Sequence, residues 1–302
     1  MITTNPQMEK LAPLIQVAEA GAKAIITLST TPEGTASFRY KPDRSMFTEA
    51  DRVADETVKS TILRHFPDIL YVSEEDATMP TPKESRSKVA IVDPLDGTTN
   101  YTRQIPLYAI SIALLTSGVL EAGVVLNIVS GDTYAATRGG GAWKRKDREW
   151  KLLRRVTGRP LREAILSLEC DMGWKKSREK WRQWSALLMP PICYRFRVME
   201  CAALGLCWVA EGLVDGYLHP TDNPWDMAAG GLIAAEAGST LFSSDGRDWG
   251  PLKRGIVALA PGLKDEVARI LFDKKFKAIM SNPQTRTGEK QGAYAARSRK
   301  RG

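Results

Sequence analysis

Near the start of the chain, Leu11, Leu14, Ile15, Ala18, Ala22, Ile25 and Ile26 recur at helical spacing, which predicts an amphipathic helix. Asn5 and Pro6 lie just before the stripe and suit an N-cap and a first helical turn. Thr30 to Ser45 is polar and broken by Pro32, Gly34 and Pro42, so it reads as a loop or a short hairpin. A second helix is predicted from about Glu49 to Phe66, with Ala50, Ala54, Val58, Ile62 and Phe66 on one face and Pro67 as its stop. Then the period changes. Ile69 to Val72 and Val89 to Val92 are short apolar runs ending in acids, with the polar connector Thr78 to Ser87 between them. Leu107 to Thr116 and Val119 to Ile128, joined at Ser117-Gly118, read as paired strands, followed by Thr133 to Thr137. Arg138 to Trp150, Gly-rich and then charged, is expected to be a loop.

The second half mixes strands (Ala164 to Leu168, Ile192 to Val198, Ile256 to Ala260) with helices (Ser177 to Leu188, Cys201 to Gly212, Asp226 to Ala237, Leu263 to Phe272). In the first of these helices Trp181, Trp184 and Leu188 are expected to face inward. Hairpin-like strands beside helices predict an α+β fold, a layered αβαβα sandwich, and not a regular βαβ repeat. The expected organisation is a single domain over residues 1–282, with halves of about 1–150 and 151–282, and a disordered basic tail at 283–302.

Composition narrows the class. With 302 residues, 43% hydrophobic and 26% charged, the chain can bury a sizeable core. No apolar run approaches the roughly 20 residues expected of a membrane helix, and Met1 to Lys10 is polar. Neither a membrane span nor a secretory signal is therefore expected, and a cytoplasmic location is. Cys170, Cys193, Cys201 and Cys207 form no close pairs and read as buried thiols of a reducing compartment. His65 and His219 are the only histidines, so chemistry built on a histidine base must use one of them. The net charge is +8, of which residues 283–302 carry +5, with six basic side chains against Glu289.

Three acidic clusters stand at ends of predicted elements: Glu74-Glu75, Asp93 with Asp96, and Asp226. Converging carboxylates repel one another unless a cation neutralises them, and many hard oxygen donors suit Mg²⁺. Gly97 allows close backbone approach to a ligand, and Thr98 and Thr99 add donors suited to a phosphate oxygen. Metal and phosphate together imply phosphoryl chemistry. Each feature also has a structural reading: Asp51 three residues after Thr48 fits a capping box, which is compatible with a catalytic role.

The run Asp93-Pro94-Leu95-Asp96-Gly97-Thr98-Thr99-Asn100-Tyr101 resembles the signature of the inositol monophosphatase family. Thr48-Glu49-Ala50-Asp51, Ser73-Glu74-Glu75 and Trp225-Asp226-Met227-Ala228-Ala229-Gly230 resemble three further motifs of that family, in order, and the match covers about residues 8–275. The resemblance implies a five-layered αβαβα sandwich, usually dimeric and often inhibited by lithium. It implies that Glu74, Asp93, the Leu95 carbonyl, Asp96 and Asp226 bind two or three Mg²⁺ ions, and that Glu75 holds a metal-bound water. Asp51 and Thr98 would orient and deprotonate the attacking water, while Gly97, Thr98, Thr99, Glu200, Cys201 and His219 would meet the substrate. Two positions depart from the pattern. Glu200 stands where the family often has glycine, and His219 where inositol-cleaving members carry a glutamate that accepts a sugar hydroxyl. Members that cleave 3′-phosphoadenosine 5′-phosphate or histidinol phosphate usually replace the pair that is Thr99-Asn100 here. The expected activity is hydrolysis of a small polyol or sugar phosphate. A nucleotide or histidinol phosphate is the alternative within the fold. A different class, an RNA- or protein-binding factor using the basic tail, is the third reading.

Overall fold

The structure is a computed structural model that describes residues 6–31, 38–41, 46–76, 79, 87–154, 158–170 and 175–273. Asn5, most of the connector Thr78 to Ser87 and the basic tail lie outside the described residues.

The chain opens with helix α1 (Pro6–Ser29) and the antiparallel hairpin β1 (Phe38–Tyr40) and β2 (Met46–Thr48), followed by helix α2 (Glu49–His65). Next come β3 (Leu70–Ser73), β4 (Lys88–Asp96), the short helix α3 (Thr98–Thr102), and β5 (Ala109–Thr116) to β7 (Thr133–Thr137) through β6 (Val119–Asn127). A hairpin of β8 (Ala142–Lys146) and β9 (Glu149–Leu153) completes a seven-stranded sheet in the order β3-β4-β5-β6-β7-β8-β9. Its β3–β4 pair is parallel and its other described pairs are antiparallel.

The second half contributes β10 (Ile165–Leu168), α4 (Lys175–Leu188), β11 (Arg195–Arg197), α5 (Ala202–Glu211), β12 (Gly216–His219) and α6 (Pro224–Glu236). It ends with β13 (Thr240–Phe242), β14 (Ile256–Leu259) and α7 (Lys264–Phe272). Its sheet runs β11-β10-β12-β14-β13.

Alternation within the strands generates the layers. Ala90 and Val92 of β4 and Ile110 and Ile112 of β5 pack against Leu11, Leu14, Ala18, Ala54 and Val58 of α1 and α2. Their neighbours Val89, Ile91, Ala109 and Ala113 face the other way, onto Ala203, Leu204, Cys207, Ala228, Ala229 and Ile233 of α5 and α6. Those two helices also bury Leu206, Val209 and Met227 against Tyr217, Ile256 and Ala258 of the smaller sheet. Being apolar on both sides, they form a middle layer. On the far side, Trp184 and Leu188 of α4 and Val267 and Ile270 of α7 cover Leu166, Leu218, Val257 and Leu259. Trp181 packs there as a partly buried residue. The result is the expected αβαβα sandwich.

Several expectations need correction. Residues 138–150 are not a loop, because β8 and the start of β9 lie there. Asp147 (φ 51°) and Arg148 (φ 70°) form the turn, since positive φ at both central residues matches the twist of a two-residue hairpin. The charges that suggested a loop sit on a half-exposed edge, where Arg145 lies over its cross-strand partner Trp150, 5.5 Å from the ring centroid. The strand expected over 192–198 shrinks to Arg195–Arg197, while β12 and β13 are additional strands. Ile26, placed on the buried stripe of α1, is 50% exposed. That helix is also long and apolar enough, by length and composition alone, to cross a membrane, contrary to the sequence expectation. Here its apolar stripe lies in the core against α2 and the large sheet.

Candidate active site

The acidic residues reach one place along three routes. Glu74 and Glu75 follow β3, and the Glu74 N–H donates to the Val92 carbonyl at 3.1 Å, which ties this turn to β4. Asp93 and Asp96 lie on β4 where its pairing with β5 slips, Asp93 opposite Ser111 and Asp96 opposite Ala109. The extra residue bends the strand end, and the Leu95 N–H donates to Asp93 Oδ1 at 2.9 Å. Asp226 comes from the first turn of α6, where its Oδ2 accepts the Asn223 N–H at 3.0 Å. The Ser111 hydroxyl, on β5, donates to the Trp225 carbonyl at 3.1 Å and fixes that helix end to the large sheet.

Carboxylate oxygens of Glu74, Asp93 and Asp226 come within 4.8 Å of one another. Burial, then Glu74, Asp96 and Asp226, push the Asp93 carboxyl well above the usual carboxylate range. Burial holds Glu74 at about 8, with Asp226 and Glu75 adding to the rise and Lys41 opposing it. Asp96 stands outside the close trio. It is raised to about 7 by burial and by Asp226, although its carboxylate accepts the Ala203 N–H at 2.7 Å, the Ala202 N–H at 3.2 Å and the Cys201 thiol at 3.2 Å. These groups open α5 and orient Asp96 from the middle layer.

A second chain of contacts lies alongside. Asp51 is 1% exposed; its Oδ2 accepts both the N–H and the hydroxyl of Thr48 at 2.6 Å. The Thr48 hydroxyl oxygen in turn accepts the Ala50 N–H at 3.1 Å. Asp51 therefore caps α2 with one oxygen and reaches the site with the other, because its Oδ1 accepts the Thr98 hydroxyl at 2.8 Å. That hydroxyl also lies 3.1 Å from the Leu95 carbonyl oxygen. Burial raises the Asp51 carboxyl, against the opposing pull of its partners. Gly97 joins these groups at φ 93°, where a Cβ would meet the Leu107 carbonyl oxygen at 2.8 Å. Thr99 supplies its carbonyl to the Thr102 hydroxyl at 2.8 Å.

Lys41, beside the β1–β2 hairpin, places its ammonium 2.9 Å from both Glu74 Oε1 and Glu75 Oε1. Burial alone would lower it, but the two glutamates outweigh that and hold it charged. An internal cation thus partly offsets the acidic cluster. Beside it opens a cavity of about 550 Å³ lined by Arg39, Tyr40, Phe47, Arg52, Asp55 and Glu75.

The remaining expected residues divide. Cys201 is joined to Asp96, as above. Glu200 is exposed with φ 50°, a left-handed conformation costing about 1 kcal/mol for a residue with a Cβ. Its N–H donates to Glu169 Oε2 at 3.3 Å, and its carbonyl accepts Asn100 Nδ2 at 3.3 Å. His219 is buried, and its Nδ1 accepts the Thr221 N–H at 3.3 Å while Nε2 lies 3.8 Å from Asp222 Oδ1. Both contacts lie in its own turn and neither is with the carboxylate trio. Sequence reasoning gave Lys41 no role in the site and missed Glu169, a buried acid that also accepts the Met199 N–H at 2.8 Å. Glu169 follows β10 as Asp93 ends an apolar run, so the same strand-end signal was available for it. For Lys41 no local signal exists, because its partners lie more than thirty positions away.

Comparison with known proteins places this geometry. The family model described as the inositol monophosphatase family matches residues 8–274. The chain belongs to this family. A Pasteurella multocida relative named Nus factor SuhB is 33% identical over 228 residues, covering 75% of this chain and 82% of that one. The Mycobacterium bovis inositol-1-monophosphatase is 37% identical over 182 residues, 60% of this chain and 61% of the relative. Among solved structures, the extragenic suppressor protein suhB of Bartonella henselae superposes with a TM-score of 0.77 at 26% identity, covering 88% of this chain and 99% of that chain.

Proposed function

We propose that this protein, as a single unit over residues 1–282, is a Mg²⁺-dependent phosphomonoesterase that hydrolyses small polyol or sugar phosphates with water as nucleophile. The observation that carries this reading is the approach of Glu74, Asp93 and Asp226 to within 4.8 Å of one another. The donor set fits a hard divalent cation: it is all oxygen, several members are anionic, and without a cation their mutual repulsion and burial push protons onto them. Glu74, Asp93, the Leu95 carbonyl, Asp96 and Asp226 would hold two or three ions. When bound, Mg²⁺ neutralises these carboxylates and draws charge from the phosphoryl group.

The chain's own residues handle the proton. A water against Thr98 Oγ1 gives its proton to that oxygen as Thr98 passes its own to Asp51 Oδ1, 2.8 Å away. Asp51 suits the role of base because burial raises its carboxyl above the ordinary carboxylate value, which makes it the stronger proton acceptor. The Thr48 bonds hold it in one rotamer. Glu75, steadied by Lys41, orients the water. Gly97, Thr98 and Thr99 meet the phosphate, and Glu200, Cys201 and His219 line the side of the departing alcohol. From the family resemblance the reading includes a homodimer and inhibition by lithium, and from the sequence a cytoplasmic location.

Phosphate release from a panel of phosphomonoesters, with Mg²⁺ titrated against EDTA, tests the reading. Release should stop on chelation and return with Mg²⁺; full activity in EDTA overturns it. Hydrolysis confined to 3′-phosphoadenosine 5′-phosphate or histidinol phosphate would move the substrate class. A second reading, an RNA- or protein-binding factor, is supported by relatives that carry the name Nus factor and by the +5 charge of residues 283–302. RNA binding measured across a salt series, with and without residues 283–302, tests it.

A further inference from the structure

A residue held in a disfavoured backbone conformation by its surroundings, outside a hairpin turn, is a candidate for a role in function. Glu200 is such a residue. It has φ 50°, its N–H is held by Glu169 Oε2 and its carbonyl by Asn100 Nδ2. The next three residues, Cys201, Ala202 and Ala203, each donate to the Asp96 carboxylate. The Glu200 carbonyl oxygen also stands 3.3 Å from where a Cβ on Gly97 would lie. Its backbone is thus part of the wall between Gly97 and Asp96, while the residue itself is exposed. Glycine would satisfy every one of these backbone contacts without strain. The side chain is what glycine would lack, and it is a carboxylate on an exposed residue directly before the segment Cys201 to Ala203 that binds Asp96.

We propose that Glu200 is a specificity-determining residue on the alcohol side of the site, selecting leaving groups rich in hydroxyl donors and rejecting those that carry a second phosphate. This rests on the phosphomonoesterase reading. A carboxylate accepts hydrogen bonds from hydroxyls and repels another anion. A contact with the remote part of the substrate is made in ground and transition states alike, so it appears mainly in KM.

The test compares the full-length wild type with Glu200→Gln and Glu200→Gly on an inositol monophosphate, an inositol bisphosphate and p-nitrophenyl phosphate, which has no hydroxyl donor. Both variants should lose about tenfold in the kcat/KM preference for monophosphate over bisphosphate, through KM, with a smaller change on p-nitrophenyl phosphate. Glu200→Gly alone should also melt about 2 °C higher, because strain is relieved. An unchanged preference, or an equal loss on all three substrates, overturns the proposal and leaves Glu200 a wall residue. Calorimetric binding of the two inositol phosphates needs no turnover and reads the same ranking. If the wild type hydrolyses none of the three, the phosphatase reading fails while binding still decides Glu200: a ranking lost in both variants upholds its selectivity, and a ranking retained overturns it.

Discussion

Asp93 is 1% exposed and faces two other carboxylates, so without a cation it stays in place chiefly by keeping a proton. Asp93→Asn keeps the oxygen that accepts the Leu95 N–H but removes the ionisable group. Its kcat should fall by several orders of magnitude, while its melting temperature in EDTA should rise above that of the wild type. Kinetics and thermal melts on the same preparation check both; a lower melting temperature in EDTA would show that repulsion is not what strains the site. Thr98 joins the proton path at one atom. Thr98→Ala should lower kcat by about 10²–10⁴-fold with the melting-temperature gain from Mg²⁺ retained, and Thr98→Ser should recover most of the rate. Loss of the Mg²⁺ response in Thr98→Ala would mean that the residue supports metal binding instead.

At the scale of elements, the site depends on how closely α6 lies on the large sheet, because Asp226 is carried by that helix. Gly123 on β6 sets the distance: a Cβ there would sit 3.0 Å from both Cα and the carbonyl oxygen of Ala229. Backbone atoms cannot rotate aside, so Gly123→Ala should push the helix outward and cost about 1–3 kcal/mol of stability. It should also weaken the response to Mg²⁺, although Gly123 touches no acidic residue of the site. Urea denaturation and a Mg²⁺ titration of the melting temperature measure the two effects. Lost stability with an unaltered Mg²⁺ response would show that the helix end is fixed independently, through the bond from the Ser111 hydroxyl to the Trp225 carbonyl.

For the whole molecule, the acidic cluster makes stability depend on pH and on metal together. Glu74 at about 8 and Asp96 at about 7 in the folded chain lie above their ordinary values of 4.5 and 3.8. Across that window the native state binds more protons than the unfolded chain. Their stabilising effect is fully present below about pH 4 and is lost as pH rises through 7 to 8. Each such proton contributes a slope of about 1.4 kcal/mol per pH unit where the two states differ fully. In EDTA the melting temperature should therefore fall between pH 5.5 and 8. The gain on adding Mg²⁺ should be larger at pH 8, where binding displaces fewer protons. Scanning fluorimetry at both pH values checks this, and an equal gain at both would overturn it.

Local pattern was enough for the long helices and the central strands, because α1 and α2 present a clear helical period and β4 to β7 carry apolar runs of strand length bounded by polar or turn residues. The acidic motifs were visible too, since Glu74, Asp93, Asp96 and Asp226 follow an apolar run or open a helix, although β4 itself continues past Asp93 to Asp96. The β8–β9 hairpin was not legible, because a half-exposed edge strand carries charges on its open side and resembles a loop. Nor was β12, a four-residue strand whose place between β10 and β14 is defined by its neighbours and not by its composition. Tertiary packing alone decided that Lys41 bridges Glu74 and Glu75, that Cys201 and the start of α5 hold Asp96, and that Glu200 is strained where glycine would rest easily. Each of those facts joins residues far apart in the chain, and a distance of that kind is set only when the layers close on one another.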